Sequence, residues 1–179
     1  MATNPNTIFS SENLLTGRTQ IESSFGANSD DFTIDSNNVL NLKNKTSYWS
    51  CTGNGFQPPD QSKSFTTTAA NRGTLYFQSA TNYVRRSVEL PHGAVITEVI
   101  VYGTDGGGDV STPQWRLCRY TLADQTNTEM ATNTWNTADS TISNATIDNS
   151  TYGYFLEVEG LDDDMQIYGA IITYTTDYD

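Results

Sequence analysis

Few side chains in this chain are equipped for chemistry, and they are scattered. His92 is the only histidine and Cys51 and Cys118 are the only thiols, in 179 residues. A Ser-His-Asp site needs its histidine beside a nucleophile, but Leu90-Pro91-His92-Gly93 reads as a tight turn that points the imidazole to water. Both cysteines lie in strand-like runs, where a free thiol packs as a small apolar residue. A reactive thiol would need a basic neighbour; Arg116 and Arg119 flank Cys118, with Arg119 expected on the opposite side. One histidine and two distant cysteines give no zinc spacing. Glu98, Glu157 and Glu159 fall in strands and are the carboxylates a glycosidase could pair across a cleft, although strand glutamates more often face solvent.

Two acidic clusters have the oxygen ligands calcium wants. Asp162, Asp163 and Asp164 share a turn, and Asp105 with Asp109 brackets the glycines 106–108. Calcium takes six to eight oxygens from carboxylates and carbonyls. No EF-hand spacing is present, and aspartates also satisfy turn backbones by themselves. The preferred expectation is no cofactor, with calcium as the alternative. Among the aromatic residues, Trp49 and Trp115 sit in apolar patterns and are assigned to the core. Trp135, within Asn133-Thr134-Trp135-Asn136, is expected to be exposed and to offer a stacking face to a glycan. Three Asn-x-Ser/Thr sequons, at Asn44, Asn144 and Asn149, are about what chance gives in so polar a chain.

The elements that must carry these residues are strands. Asn, Ser and Thr make up about a third of the chain, and all three compete with helical backbone bonds. No stretch holds a 3.6-residue apolar period; short alternating runs recur between Gly, Pro, Asn and Asp. Candidate strands are 47–51, 64–67, 74–78, 83–89, 95–103, 114–122, 128–134, 152–159 and 165–175. In 95–103, alternation puts Val95, Thr97, Val99 and Val101 on one face, with Ile96, Glu98, Ile100 and Tyr102 on the other. In the last strand it groups Met165, Ile167, Gly169, Ile171 and Thr173 against Tyr168, Ile172 and Tyr174. Strands apolar on both faces and spaced this way predict an all-β fold, a β-sandwich of jelly-roll type. The connections 103–109, 52–63 and 136–150 are expected to cluster at its ends.

Two regions are predicted: residues 1–46, an extended arm and assembly segment, and residues 47–179, a β-sandwich head. The arm is polar, with isolated Ile8, Phe9, Leu14, Leu15, Ile21 and Phe25. It leads to a strand-turn-strand unit in which Phe32 and Ile34 precede the turn and Val39, Leu40 and Leu42 follow it. Such a unit is too small to be stable alone, so these eleven residues are the candidates for assembly contacts. The chain carries 21 acidic and nine basic side chains, a net charge of -12. Residues 120–179 hold eleven of the acids and no base. That argues against nucleic acid or anionic membrane as partners. No apolar run is long enough to span a bilayer, and the first residues do not form a classical secretion signal.

The segment DFTIDSNNVLNLKNKT resembles the shaft-end repeats of phage and viral fibre proteins. The runs ELPHGAVITEVIVYG, STYGYFLEVEG and IYGAIITYTTDYD resemble the C-terminal β-sandwich heads of virion-associated proteins. The resemblance departs from the fibre pattern in having a single shaft-like unit. It implies a non-enzymatic structural or adhesive subunit of a virion or extracellular assembly: a fibre head, a decoration protein or a tube-forming protein. Its partners would be copies of itself, as a trimer or polymer, other virion proteins, and a cell-surface glycan. The alternative is a monomeric carbohydrate-binding module of β-sandwich type, which should display an exposed strip of aromatic side chains.

Overall fold

The structure, a computed structural model, describes residues 32–34, 40–42, 44–59, 65–66, 73–106 and 112–176. Contacts group the chain into two units, Thr46–Thr176 and a second that comprises Met1–Lys45 with Asp177–Asp179. Within the second unit, β1 (Phe32–Ile34) and β2 (Leu40–Leu42) pair antiparallel, with Phe32 opposite Leu42 and Ile34 opposite Leu40. The expected pairing of two strands in this segment is met at the backbone; the turn between them lies outside the described residues. Ile8, Phe9, Leu14, Leu15, Ile21, Phe25 and Val39 lie outside the described residues.

The unit Thr46–Thr176 is a β-sandwich of two antiparallel sheets. Its strands are β3 (Lys45–Thr52), which starts one residue earlier, β4 (Phe65–Thr66), β5 (Leu75–Phe77), β6 (Thr81–Val88), β7 (Val95–Thr104), β8 (Gln114–Thr121), β9 (Asn127–Thr134), β10 (Tyr152–Leu161) and β11 (Gln166–Thr176). One sheet runs β6-β10-β8-β9. The other runs β3-β11-β5-β4, with β7 paired to β11. The chain passes between the sheets at β5–β6, β6–β7, β7–β8 and β10–β11, an interleaving of the jelly-roll kind. All nine strands foreseen in the body are present, because turn residues and alternating apolar runs coincide at each one.

Alternating residues of both sheets meet in one core. Val84 and Val88 of β6, Trp115 and Leu117 of β8, and Leu156 and Val158 of β10 face Ile96, Val99 and Val101 of β7 and Ile167, Ala170 and Ile172 of β11. Trp115 is fully buried and satisfies its indole by donating Nε1–H to the Thr134 carbonyl at 2.9 Å. An indole buried without that bond would lose about 1–3 kcal/mol.

Two of the expected face assignments are corrected. In β7, Ile96 and Val99 are both buried while Thr97 and Glu98 are exposed. The pairing with β11 slips between Thr173 and Tyr174, so a bulge transfers the apolar phase from Ile96 to Val99. In β11 the slip falls between Ile167 and Gly169. After it, Ala170 and Ile172 turn inward, while Ile171 and Thr173 are only half-buried. An extra residue in one strand reverses every side chain beyond it.

The connections are corrected as well. Residues 136–150 do not gather at an end: Asp139 bridges to Val99 and Thr146 to Val95, so the segment lies along the free edge of β7. Ile147 enters the core from it. Likewise Gln57 bridges to Arg85 on the edge strand β6, and Phe56 beside it is fully buried. Each segment covers an edge whose backbone groups would otherwise be unpaired.

Candidate functional site

The exposed large apolar side chains of the described residues fall mainly on one surface. Tyr48 is 70% exposed, Tyr168 48% and Tyr102 38%, and all three belong to the five-stranded sheet. The bulge in β11 accounts for two of them. Ile167 pairs with Gly103 and Gly169 with Tyr102, so Tyr168 is the additional residue and stands beside Tyr102. On the next outward rung, half-buried Ile100 is opposite half-buried Ile171. Below that, Glu98 faces Thr173. Gly169 makes the close strand packing feasible, since a Cβ there would lie 2.4 Å from the Cys51 carbonyl oxygen on β3. The result is a shallow strip of tyrosine and isoleucine on an outer sheet face.

The outer face of the four-stranded sheet is different in kind. Register brings Tyr83, Arg85 and Ser87 of β6 beside Glu159, Glu157 and Phe155 of β10, and these beside Gln114, Arg116 and Cys118 of β8. Glu157 is nearly buried. Its carboxylate accepts a 2.7 Å hydrogen bond from Arg85 Nε and lies 3.7 Å from Arg116 Nε. Arg116 also pairs with Glu159 and, at 3.9 Å, with Glu129. The Arg85 guanidinium stacks on the rings of Tyr83 and Phe155, 4.5 and 4.9 Å from their centroids. Glu157 and Glu159 are thereby committed to arginines, and Glu98 belongs to the other sheet, so no pair of these carboxylates is left facing a shared cleft. Cys118 is buried under this network. Burial first, and then the charge of Glu157, push its thiol up to about 11. It is an inert thiol despite Arg116.

At one end of the sandwich, the end of β7, the residues before β8 and the end of β9 line an open pocket of about 220 Å³. Asp105 and Trp135, drawn from two separate readings of the sequence, both line it. Trp135 is not exposed as expected: its exposure is 9%. The reason is Gly103, where a Cβ would lie 1.7 Å from the Trp135 ring, so the ring occupies the space that a side chain would have taken. Asn136 secures the arrangement, donating Nδ2–H to the Gly103 carbonyl at 2.9 Å and accepting the Gly103 N–H at 3.3 Å.

Gly106 packs on the Asp164 backbone, which brings the Asp105 loop to the Asp162–Asp164 turn. Among the described residues, however, no group of three metal-ligating side chains forms, and Asp109 lies outside them. Asp162 and Asp163 accept hydrogen bonds from the next residue's backbone N–H. Asp164 accepts one from the Tyr76 hydroxyl, which raises the Tyr76 phenol. These aspartates serve their own turn. His92 sits in the foreseen turn, its side chain 65% exposed. Its Nδ1 accepts the Asn149 N–H at 3.2 Å and is 3.8 Å from Asp148. Asp148 is held below the usual carboxylate range by hydrogen bonds from Ser150 and Thr151.

The residues not foreseen are Tyr48, Tyr102 and Tyr168. Their strands were evident; alternation alone turns Tyr48 and Tyr102 outward, and the bulge adds Tyr168 beside Tyr102. Among the described residues no helix is long and apolar enough to cross a membrane. No protein-family model matches the chain, and no curated protein matches it. Among solved structures the chain is similar to a xylan-binding module, CBM15, at 15% identity and a TM-score of 0.38. The match covers 76% of this chain and 100% of that one.

Proposed function

We propose that the protein is a non-catalytic carbohydrate-binding module that holds a neutral glycan chain against the outer face of its five-stranded sheet. The observation that carries this reading is the strip of Tyr168 beside Tyr102, continued by Ile100 and Ile171, with Tyr48 exposed on the same sheet. Tyrosine rings offer apolar faces to the C–H side of a pyranose and hydroxyls to its rim. A shallow strip suits a polymer that lies along it, whereas a small ligand needs concave walls. The net charge of -12 disfavours polyanionic glycans. Support for a non-catalytic role comes from Glu157 and Glu159, whose charges are taken up by arginines. The test is retention on insoluble neutral polysaccharides, followed by calorimetry with oligosaccharides cut from whichever one retains the protein. Each stacked ring should contribute about 0.5–1.5 kcal/mol, so Tyr102→Ala or Tyr168→Ala should weaken binding by about 2- to 12-fold. Retention by no neutral polysaccharide, or full affinity in the double variant, would refute the reading.

A second reading, a structural or adhesive subunit of a virion or extracellular assembly, is favoured by the grouping of Met1–Lys45 apart from the sandwich and by the β1–β2 pair within it. In that case the arm mediates self-association. Light scattering should show the full chain as a trimer or larger species, and a chain lacking residues 1–45 as a monomer. A monomer of 19.7 kDa for the full chain would exclude it.

A further inference from the structure

We propose that the tyrosine strip continues onto Gln166 and Tyr76, which form a further subsite and make the face a site for an extended chain of several sugars. This deepens the glycan reading and rests on it for the class of ligand. Three outward rows follow one another along β7 and β11. Ile100 is opposite Ile171, then Tyr102 lies beside Tyr168, then Thr104 is opposite Gln166. The third row crosses into β5, where Tyr76 is opposite Gln166. Leu75 and Phe77 on either side of Tyr76 are buried, as are Met165 and Ile167 on either side of Gln166. Alternation therefore puts Tyr76 and Gln166 on the outer face with the tyrosine pair. Tyr76 is one strand across and one row along from Tyr168, a diagonal of about 7–8 Å that aromatic side chains can bridge.

The two residues supply different chemistry. The Tyr76 hydroxyl donates to the Asp164 carboxylate, which ties down the far end of the ring before any ligand arrives. A tethered ring reduces the ordering cost of stacking. Gln166 is half-buried, and its amide makes no hydrogen bond within the described residues. That amide offers one acceptor and two donors, a match for neighbouring sugar hydroxyls, each of which both donates and accepts. A carboxylate stands at each end of the site, Asp164 beside Tyr76 and Glu98 beyond Ile100. Carboxylated or sulfated sugars are repelled at both. Successive rows are two residues apart, about 6.6–6.8 Å, and share one face of the sheet. A chain touches all three only while it stays extended, and a chain that coils leaves the face.

The test is calorimetry of the full chain with cello-, manno- and xylo-oligosaccharides from disaccharide to hexasaccharide, and with maltohexaose as the coiling chain. In at least one extended series affinity should rise with length, and its hexasaccharide should bind about tenfold or more tighter than maltohexaose, the worth of two further rows. Tyr76→Ala should weaken the hexasaccharide by about 2- to 12-fold, one stacked ring. Gln166→Ala should do the same, one neutral hydrogen bond. Both should leave the disaccharide within about twofold, whereas a loss of folded protein would lower the binding of every length alike. Tyr76→Phe keeps the ring and should recover most of what Tyr76→Ala loses. Full hexasaccharide affinity in Tyr76→Ala/Gln166→Ala would overturn the proposal and leave the strip standing. Maltohexaose binding as tightly as the extended hexasaccharides would overturn it too. Binding by no neutral chain would refute the glycan reading itself, and this subsite with it.

Discussion

Gly103→Ala tests how the sandwich builds its pocket. The new Cβ would stand 1.7 and 1.9 Å from two carbons of the Trp135 ring and 2.7 Å from the Gln166 carbonyl oxygen. Carbon atoms rest at about 3.5–4.0 Å, so the ring must retreat by roughly 2 Å. It has little room to do so: Asn136, the next residue, is tied to Gly103 and to Val101. Expelling a buried Trp costs about 3–5 kcal/mol in truncation series, and overpacking that is partly relieved costs about 1–3 kcal/mol. The expected loss is therefore about 3 kcal/mol. For a sandwich of this size that lowers Tm by about 9–15 °C in a circular-dichroism melt, with a red shift of tryptophan emission as the indole meets water. The partner experiment is Trp135→Ala with and without Gly103→Ala. Without the ring the two closest clashes are gone and the Gln166 oxygen at 2.7 Å is the next contact, so the two changes should be sub-additive by about 2 kcal/mol. A Gly103→Ala protein that melts within about 3 °C of the parent, roughly 1 kcal/mol, or strict additivity in the cycle, would show that Trp135 does not lie on Gly103.

Four further outcomes follow from the two outer faces. The Cys118 thiol, pushed up to about 11 from an ordinary 9.0, should react with a disulfide reagent at pH 8 about 100-fold more slowly than an unperturbed thiol, as its smaller thiolate fraction dictates. The same raised value means that its contribution to stability is complete below pH 9 and is lost as pH rises from 9 towards 11, which urea titrations across that range would register. Glu157→Gln removes the charge between Arg85 and Arg116. It should cost about 1–2 kcal/mol in urea, the lower part of the range for a pair whose Arg85 side is 46% exposed, and should lower the Cys118 thiol value. Tyr102→Ala and Tyr168→Ala should each change stability by no more than about 0.5 kcal/mol, because both rings are substantially exposed; a larger loss would mark them as structural.

How much could be read in advance depended on the range of the interaction. The strands of the body were evident because turn residues and apolar alternation are local. The turn at His92 and the core position of Trp115 were evident for the same reason. Trp135 was misplaced since its neighbours Asn133, Thr134 and Asn136 are polar. What buries it is a glycine 32 residues earlier in sequence, in a different sheet. The faces of β7 and β11 were misassigned beyond their bulges, which exist only in the pairing between them. Glu157 looked like any strand glutamate; its near burial depends on Arg85 and Arg116, supplied by the two neighbouring strands.

The strip and the pocket arise from the same few residues of one strand pair. Tyr102 and Gly103 are consecutive in β7, so alternation directs them to opposite faces of the sheet. Tyr102 is exposed, and Gly103 lies inward under Trp135. Across the ladder Tyr168 and Gly169 share the place opposite Tyr102, while Ile167, opposite Gly103, and Ala170, opposite Val101, both lie in the core. Without the additional residue the ladder would be regular, with Gly169 opposite Tyr102 and Ile167, Ala170 and Ile172 alternating inward as before. The bulge thus adds a second ring beside Tyr102 without turning a core side chain outward. Deleting Tyr168 should therefore remove the ring and the bulge and leave the core faces in place, so its stability in urea should match that of Tyr168→Ala to within about 1 kcal/mol. A deletion variant less stable by several kcal/mol, the cost of exposing core side chains of about 1.5–3 kcal/mol each, would show that the two halves of β11 are not held in phase across the bulge.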